Sequence, residues 1–168
     1  MDAPVTVCET WRDDSIMKEV RNALKIIQKE QRKKEQVAFG VVLGPDGHRG
    51  PFNAYTTLVY NNVYANVGKA YNPDTGVFTA PGKGVYYFSF SGHNQSTRSM
   101  GLTLCKNDQP VVMGFNHAAG NRYETVTNGM NLELEIGDRV YIRLSRDTWV
   151  FDNANKHSTF IGHLLFPL

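Results

Sequence analysis

The stretch GKGVYYFSFSG, residues 82–92, decides the fold. Side chains on an extended chain point alternately to its two sides. Tyr86, Phe88 and Phe90 therefore share one side, and Val85, Tyr87 and Ser89 share the other. Glycines close both ends. The alternation and the aromatic content predict a strand. One of its faces is wholly aromatic and must be buried against another layer.

Working outward, the same period of two governs most of the chain. Val37, Phe39, Val41 and Leu43 alternate with Ala38, Gly40 and Val42, and a turn-forming run, GPDGHRGP, follows. Further strands are predicted in TLVYNNVYANV, GVFTA, MGLTLCKN, PVVMGF, YETVT, MNLELEI, RVYIRLS and STFIGHLLF. Turns rich in Gly, Pro, Asn and Asp separate them. In NLELEIGDRVYIRL, Leu132, Leu134 and Ile136 oppose Glu133 and Glu135, while Val140, Ile142 and Leu144 oppose Tyr141 and Arg143. This predicts two half-buried antiparallel strands joined by a tight turn at Gly137-Asp138. In the final strand Phe160, Leu164 and Phe166 face one way and Ile161 and Leu165 the other. A strand apolar on both faces belongs at a sheet centre or a subunit interface. Many short strands with regular turns mean a β-sandwich or jelly roll.

Before this body the period changes. From Asp13 to about Lys34 the pattern is helical, with Asp13 or Asp14 as the cap. Met17, Val20, Leu24 and Ile27 are spaced three, four, three, which is a coiled-coil seam. It runs on into polar Gln31 and Lys34. Two heptads are too few to hold strands together alone, because short isolated helices are marginal in water. The organisation expected is a flexible tail at 1–12, a helical neck at 13–35 and a head at 36–168.

Composition narrows the function. The chain has 168 residues, 41% hydrophobic and 20% charged, with a formal charge of +2. The one dense basic run, QKEQRKKEQ, is interrupted by glutamates and reads as a solvated helix face rather than a nucleic-acid footprint. No apolar stretch is long enough to span a bilayer. The N-terminus lacks a signal-peptide pattern, so the chain is either intracellular or a mature chain with an added start methionine.

Motifs for catalysis are absent. TAPGKG departs from a phosphate loop: five residues separate Gly76 from Gly82, and Gly84 follows Lys83 where Ser or Thr is required. His48, His93, His117, His157 and His163 form no closely spaced ligand pair, and no nucleophile elbow occurs. The expectation is a protein that is not an enzyme. Cys105 reads as a small buried strand residue. Cys8 reads either as an interchain bridge or as a free thiol. The sequon Asn94-Gln95-Ser96, in a polar stretch, marks Asn94 as a glycosylation acceptor if the chain is secreted.

Taken together these features resemble the C1q-type globular head of the C1q and tumour-necrosis-factor superfamily. The signature is carried by Tyr60, Asn66, Tyr71, Phe78, Gly84, Tyr86, Phe88 and Phe90, with Tyr60 standing where the family usually has Phe. VAFGVVL resembles the opening strand and STFIGHLLFPL the closing one. Within the family, VYANVGKAYN, FTAPGKGVY, TNGMNLELEIGDRVYIRL and the terminal FPL are most similar to the cerebellins.

The resemblance implies an all-β, ten-stranded jelly-roll sandwich behind a short coiled-coil neck, a homotrimer, secretion and binding work without catalysis. Cerebellins carry two closely spaced cysteines before the head, which link trimers into hexamers; here only Cys8 is present. In some relatives calcium sits near the trimer axis, and the matching positions are Asn116 and Glu124. Only one of these is a carboxylate, whereas calcium gathers several oxygens carrying more than one charge. The implied function is a secreted ligand of cell-surface receptors, cerebellin-like; the alternative is an innate-immune protein that binds microbial surfaces.

Overall fold

The protein is described from a computed structural model, which covers residues 8–34 and 36–168. The chain divides into two compact units, Met1–Lys34 and Glu35–Leu168.

The first unit is one helix, α1, over Cys8–Lys34. Twenty-seven residues at 1.5 Å each make it about 40 Å long. It starts at Cys8 rather than Asp13, so residues 8–12 of the expected tail are helical, and residues 1–7 lie outside the described residues. No Gly or Pro stands between Cys8 and Lys34 to stop it earlier. Ile16, Met17, Val20, Leu24, Ile26 and Ile27 are between 46% and 60% exposed.

The second unit is a sandwich of thirteen strands. They are β1 (Ala38–Val42), β2 (Gly47–Arg49), β3 (Thr56–Thr57), β4 (Asn62–Val67), β5 (Tyr71–Asn72), β6 (Val77–Thr79), β7 (Gly84–Gln95), β8 (Met100–Lys106), β9 (Gln109–Asn116), β10 (Tyr123–Leu134), β11 (Arg139–Leu144), β12 (Val150–Asp152) and β13 (Thr159–Pro167). The count exceeds the ten expected because β2, β3, β5, β6 and β12, each of two or three residues, are short pieces of the ladders counted as separate strands. The jelly-roll sandwich itself is as expected. One sheet of seven strands runs β2-β12-β7-β13-β1-β4, with β10 on the other side of β7. The second, of six strands, runs β5-β6-β11-β8-β9, with β3 on β11.

β7 alternates buried and half-buried residues along its whole length. Tyr86, Phe88 and Phe90 are at most 1% exposed, as the alternation predicts. They meet Phe39, Phe78 and Phe160 in one aromatic cluster: Phe39 lies 4.9 Å from Phe160 and 5.5 Å from Phe78, ring centre to ring centre, and Phe78 lies 5.1 Å from Phe88. Offset and edge-on pairs of this kind stabilise beyond the area they bury. β13 takes the central place, between β7 and β1. A bulge between Leu164 and Phe166 then turns Phe166 out, to 52% exposed.

The signature polar residue also has a structural task. The Asn66 amide donates to the Tyr71 carbonyl (2.8 Å), and its oxygen accepts from the Tyr71 N–H (3.3 Å), which closes the turn between β4 and β5. The Tyr71 hydroxyl donates to the Tyr60 carbonyl (3.0 Å).

One expectation is corrected. The strands around Gly137-Asp138 do not pair with each other: β10 lies on β7, and β11 lies on β8 in the other sheet. The turn is a crossing between layers, anchored by Gly137 N–H donating to Ala80 O and Ala80 N–H donating to Asp138 O, both at 2.9 Å. Ile136 leaves the apolar side at the crossing and is 73% exposed.

Two stability outcomes follow from this core. Phe88→Ala should cost about 3–5 kcal/mol in chemical denaturation, because it removes a fully buried ring and leaves a cavity. Tyr87→Ala, on the half-buried side, should cost clearly less; equal costs would mean the strand faces the other way. The Tyr60 hydroxyl is buried without a hydrogen-bond partner among the described residues. Tyr60→Phe should therefore raise stability by about 1 kcal/mol in the same assay, and a loss of that size would show that the hydroxyl has a partner.

Candidate functional site

Three surface regions carry chemistry, and the strand registers decide what each contains. The first is the open face of the seven-stranded sheet. Residues of β7 that point away from the core are Val85, Tyr87, Ser89, Ser91 and His93. Across the ladders, Ile161 lies opposite Ser89 and Gly40, Ala65 lies opposite Gly40, and Gly129 lies opposite Ser89. Ile161 therefore stands on a floor of small residues running Ala65-Gly40-Ile161-Ser89-Gly129 across five strands. The next row places His163 beside Tyr87, 5.6 Å between ring centres. Ile161 is 37% exposed and Leu165 44%. Apolar side chains on so flat a floor can be approached closely by another protein surface. The edge formed by β9 and β10 adds exposed Phe115 and Met130.

The second region is a ring row near the far end of β7. β12 pairs with both β2 and β7, setting Phe151 beside His48 and His93. His48 stacks on Trp149 (4.1 Å), and His93 stacks on His157 (4.2 Å) and on Tyr123 (5.2 Å). The sequence kept these histidines apart, since His93 and His157 are far separated along the chain; the pairing of β13 with β7 brings them together, and the Ser91 hydroxyl donates to the His157 carbonyl at 2.6 Å. A fixed hydroxyl, Thr125 Oγ1, lies 2.7 Å from His93 Nδ1. Burial pulls the His93 imidazole below its ordinary value, and His157 beside it acts in the same direction, while Asp152 opposes both.

The third region is the hollow at the positions that the resemblance matches to some relatives' calcium site. Asn116 and Glu124 do line one hollow, of about 440 Å³, together with His117 and Arg122. The residues do not fit the ion. Arg122 holds the Glu124 carboxylate at 2.6 Å, and the Asn116 amide donates to Asn94 Oδ1 at 3.2 Å. Among the described residues no group of three or more His, Cys, Asp or Glu could hold a metal. The one carboxylate already carries a cation.

Asn94 is a further correction. It lies within β7 rather than in a loop, and it is fully buried. Its amide donates to the Arg98 carbonyl at 2.8 Å, tying the strand end to the following turn. A glycan acceptor has to be exposed, so Asn94 is a structural residue. Cys105 is a free, buried thiol, as read from its strand pattern. The Cys8 side chain lies outside the described residues. Lys83 of the rejected phosphate loop pairs with Glu135 at 2.7 Å on the surface.

A family model of the C1q domain matches residues 46–165. Among solved structures, the globular domain of zebrafish complement 1qA protein is similar, at 22% identity and a TM-score of 0.61, covering 79% of this chain and 99% of that one. An Eiger tumour-necrosis-factor structure from S. frugiperda superimposes with a TM-score of 0.63 at 14% identity, covering 80% and 95%. Murine APRIL at pH 5.0 gives 0.62 at 11% identity, covering 77% and 99%. At these identities the likeness is one of fold.

The ring row has a defined pH dependence. A histidine whose value is lowered on folding binds more protons when unfolded, so its contribution is complete above the ordinary imidazole value of about 6.5 and is lost as pH falls below it. His48, lowered by burial, acts in the same sense. The denaturation midpoint should therefore drop between pH 7.5 and 5.5, and His93→Gln should shrink that drop. A variant with the full wild-type slope would remove His93 as its source.

Proposed function

The chain belongs to the C1q domain family, and on that premise we propose that it is a secreted, homotrimeric binding protein whose heads engage cell-surface receptors as the cerebellins do. C1q and tumour-necrosis-factor domains are generally non-enzymatic, so the function sought is recognition. No helix among the described residues is long and apolar enough to cross a membrane.

The observation that carries the reading is the open face around Ile161. Ile161 and Leu165 stand exposed on it among small and polar neighbours, while Phe115 and Met130 are exposed at the β9–β10 edge. A face on one copy meeting an edge on the next is a heterologous contact, and a heterologous contact closes into a ring when the rotation permits. Three copies place three helices in parallel, with Met17, Val20, Leu24 and Ile27 turned inward. The trimeric heads raise the local concentration of the helices, so two heptads suffice. Three Cys8 thiols then gather at one end. Two can pair, and the odd one is free to join a second trimer.

Light scattering tests the assembly. Residues 36–168 alone should run as a trimer at micromolar concentration, and Ile161→Glu should run as a folded monomer, since it buries an unpaired charge at the contact. A wild-type monomer would overturn the assembly. The receptor claim is tested by screening the purified full chain against receptor ectodomains and bacterial cell-wall components. Saturable ectodomain binding supports it; binding confined to the cell-wall components would assign the protein to microbial recognition instead.

A further inference from the structure

The six-stranded sheet also has an outer face, and it carries a pocket that self-association through the other sheet leaves unused. The ladders build it in rows. Arg143 lies opposite Thr103, which lies opposite Met113; Tyr141 lies opposite Cys105, which lies opposite Pro110. Ser145 completes the floor, its N–H donating to Gly101 O at 2.8 Å. The cavity measures about 370 Å³, within the size range of small-molecule sites, at roughly 300–1,000 Å³.

Its two ends differ chemically. One wall is apolar, made by Pro110, Val111 and Met113, with the Tyr55 ring at the rim. The floor at the other end is polar, with Thr103, Ser145 and Arg143. The Arg143 side chain is fixed: it lies over the Tyr141 ring, 5.2 Å to the centre, and a single nitrogen, Nη2, donates to both Asp108 and the Tyr141 hydroxyl. Nε and Nη1 are not engaged by any described residue, nor are the Thr103 and Ser145 hydroxyls. Ser145 is 8% exposed, and its hydroxyl opens into the cavity. Arg143 is already ion-paired with the Asp108 carboxylate at 2.5 Å, so an incoming planar carboxylate shares the guanidinium through its free Nε and Nη1 edge, beside two hydroxyl donors. The apolar wall matches a hydrocarbon body lying beyond it.

We propose that this pocket binds a small amphipathic monocarboxylate, an acid with one carboxylate on an aliphatic or aromatic body, held by Arg143, Thr103 and Ser145 at its head and by Val111 and Met113 along its length. The Cys105 thiol beneath is a wall and takes no part in bonding. Burial pushes this thiol up from its ordinary value, so at neutral pH it is uncharged and does not repel an anion.

The test uses the full chain with methionine methyl groups labelled, titrated with octanoate. The Met113 methyl resonance should shift saturably at millimolar octanoate, while those of Met17 and Met130 stay still. Octylamine and octanol should bind at least tenfold more weakly, and Arg143→Gln should weaken octanoate about tenfold or more, the loss expected for a charged hydrogen-bond partner. Val111→Trp fills the apolar end and should abolish the shift; it leaves Arg143 in place and so separates occupancy of the pocket from folding of the arginine region. No saturable shift at Met113, equal binding of octanol, or unchanged affinity in Arg143→Gln would each overturn the proposal. Oligomeric state is recorded alongside, so a failed pocket and a failed trimer are told apart.

Discussion

The head depends on a contact made possible by a missing side chain. Gly162 of β13 faces the core, and a methyl group there would lie 2.6 Å from both Phe39 Cε1 and Phe88 Cδ1. Without it, the two rings close over the backbone of the central strand. Phe39 then stacks on Tyr71, at 4.9 Å, and Phe78, and reaches Phe160 edge-on. These residues come from five strands in both sheets, so this one cluster binds the layers together. The open face inherits its shape from it, because residues that alternate with the cluster are those that point outward. Ile161 is outward since Phe160 is inward, and Tyr87 is outward since Phe88 is inward.

That coupling explains what the sequence made legible. Period-two alternation survives wherever one face of a strand is buried, and β7 shows it over its full length. The signature residues are readable for the same reason: Tyr60, Tyr71 and Phe78 are core rings, and Asn66 is a turn clamp whose geometry admits little else. Tyr60 departs from the family's usual Phe, and the hydroxyl it adds sits unpartnered in the core. The misreadings share an opposite cause. β10 and β11 each alternate correctly, yet nothing in alternation says which sheet a strand joins, so a crossing and a hairpin read alike in the sequence. Asn94 looked like part of a polar loop because Ser, Thr and Arg follow it, although β7 runs through it and buries it.

The surfaces were the least legible. Asn116 and Glu124 do share a hollow, but the neighbour that matters, Arg122, is visible as a partner only once the β10 backbone is laid down. The His93–His157 stack depends on the register of β13 against β7, and the placing of Phe151 between His48 and His93 on a three-residue strand, β12, too short to leave a periodic signal. The carboxylate-matching pocket draws on β8, β9, β11 and a loop. Its residues gain meaning together and have none in chain order. Contacts made along one strand are written in local sequence, while contacts made between strands are written in register.

The central place of β13 has a consequence for how the protein is made. The strand that joins β1 to β7 is supplied by residues 159–167, after all the other strands have been synthesised. Until it arrives, β1 and β7 have no common neighbour, and the pocket for Phe160 stands open among Phe39, Tyr71 and Phe88. A chain in which β13 has not yet paired therefore has an unfilled slot between β1 and β7. Such a slot is an acceptor for any β13, including that of a neighbouring nascent chain, and exchange of that element between chains is a known route to misassembly.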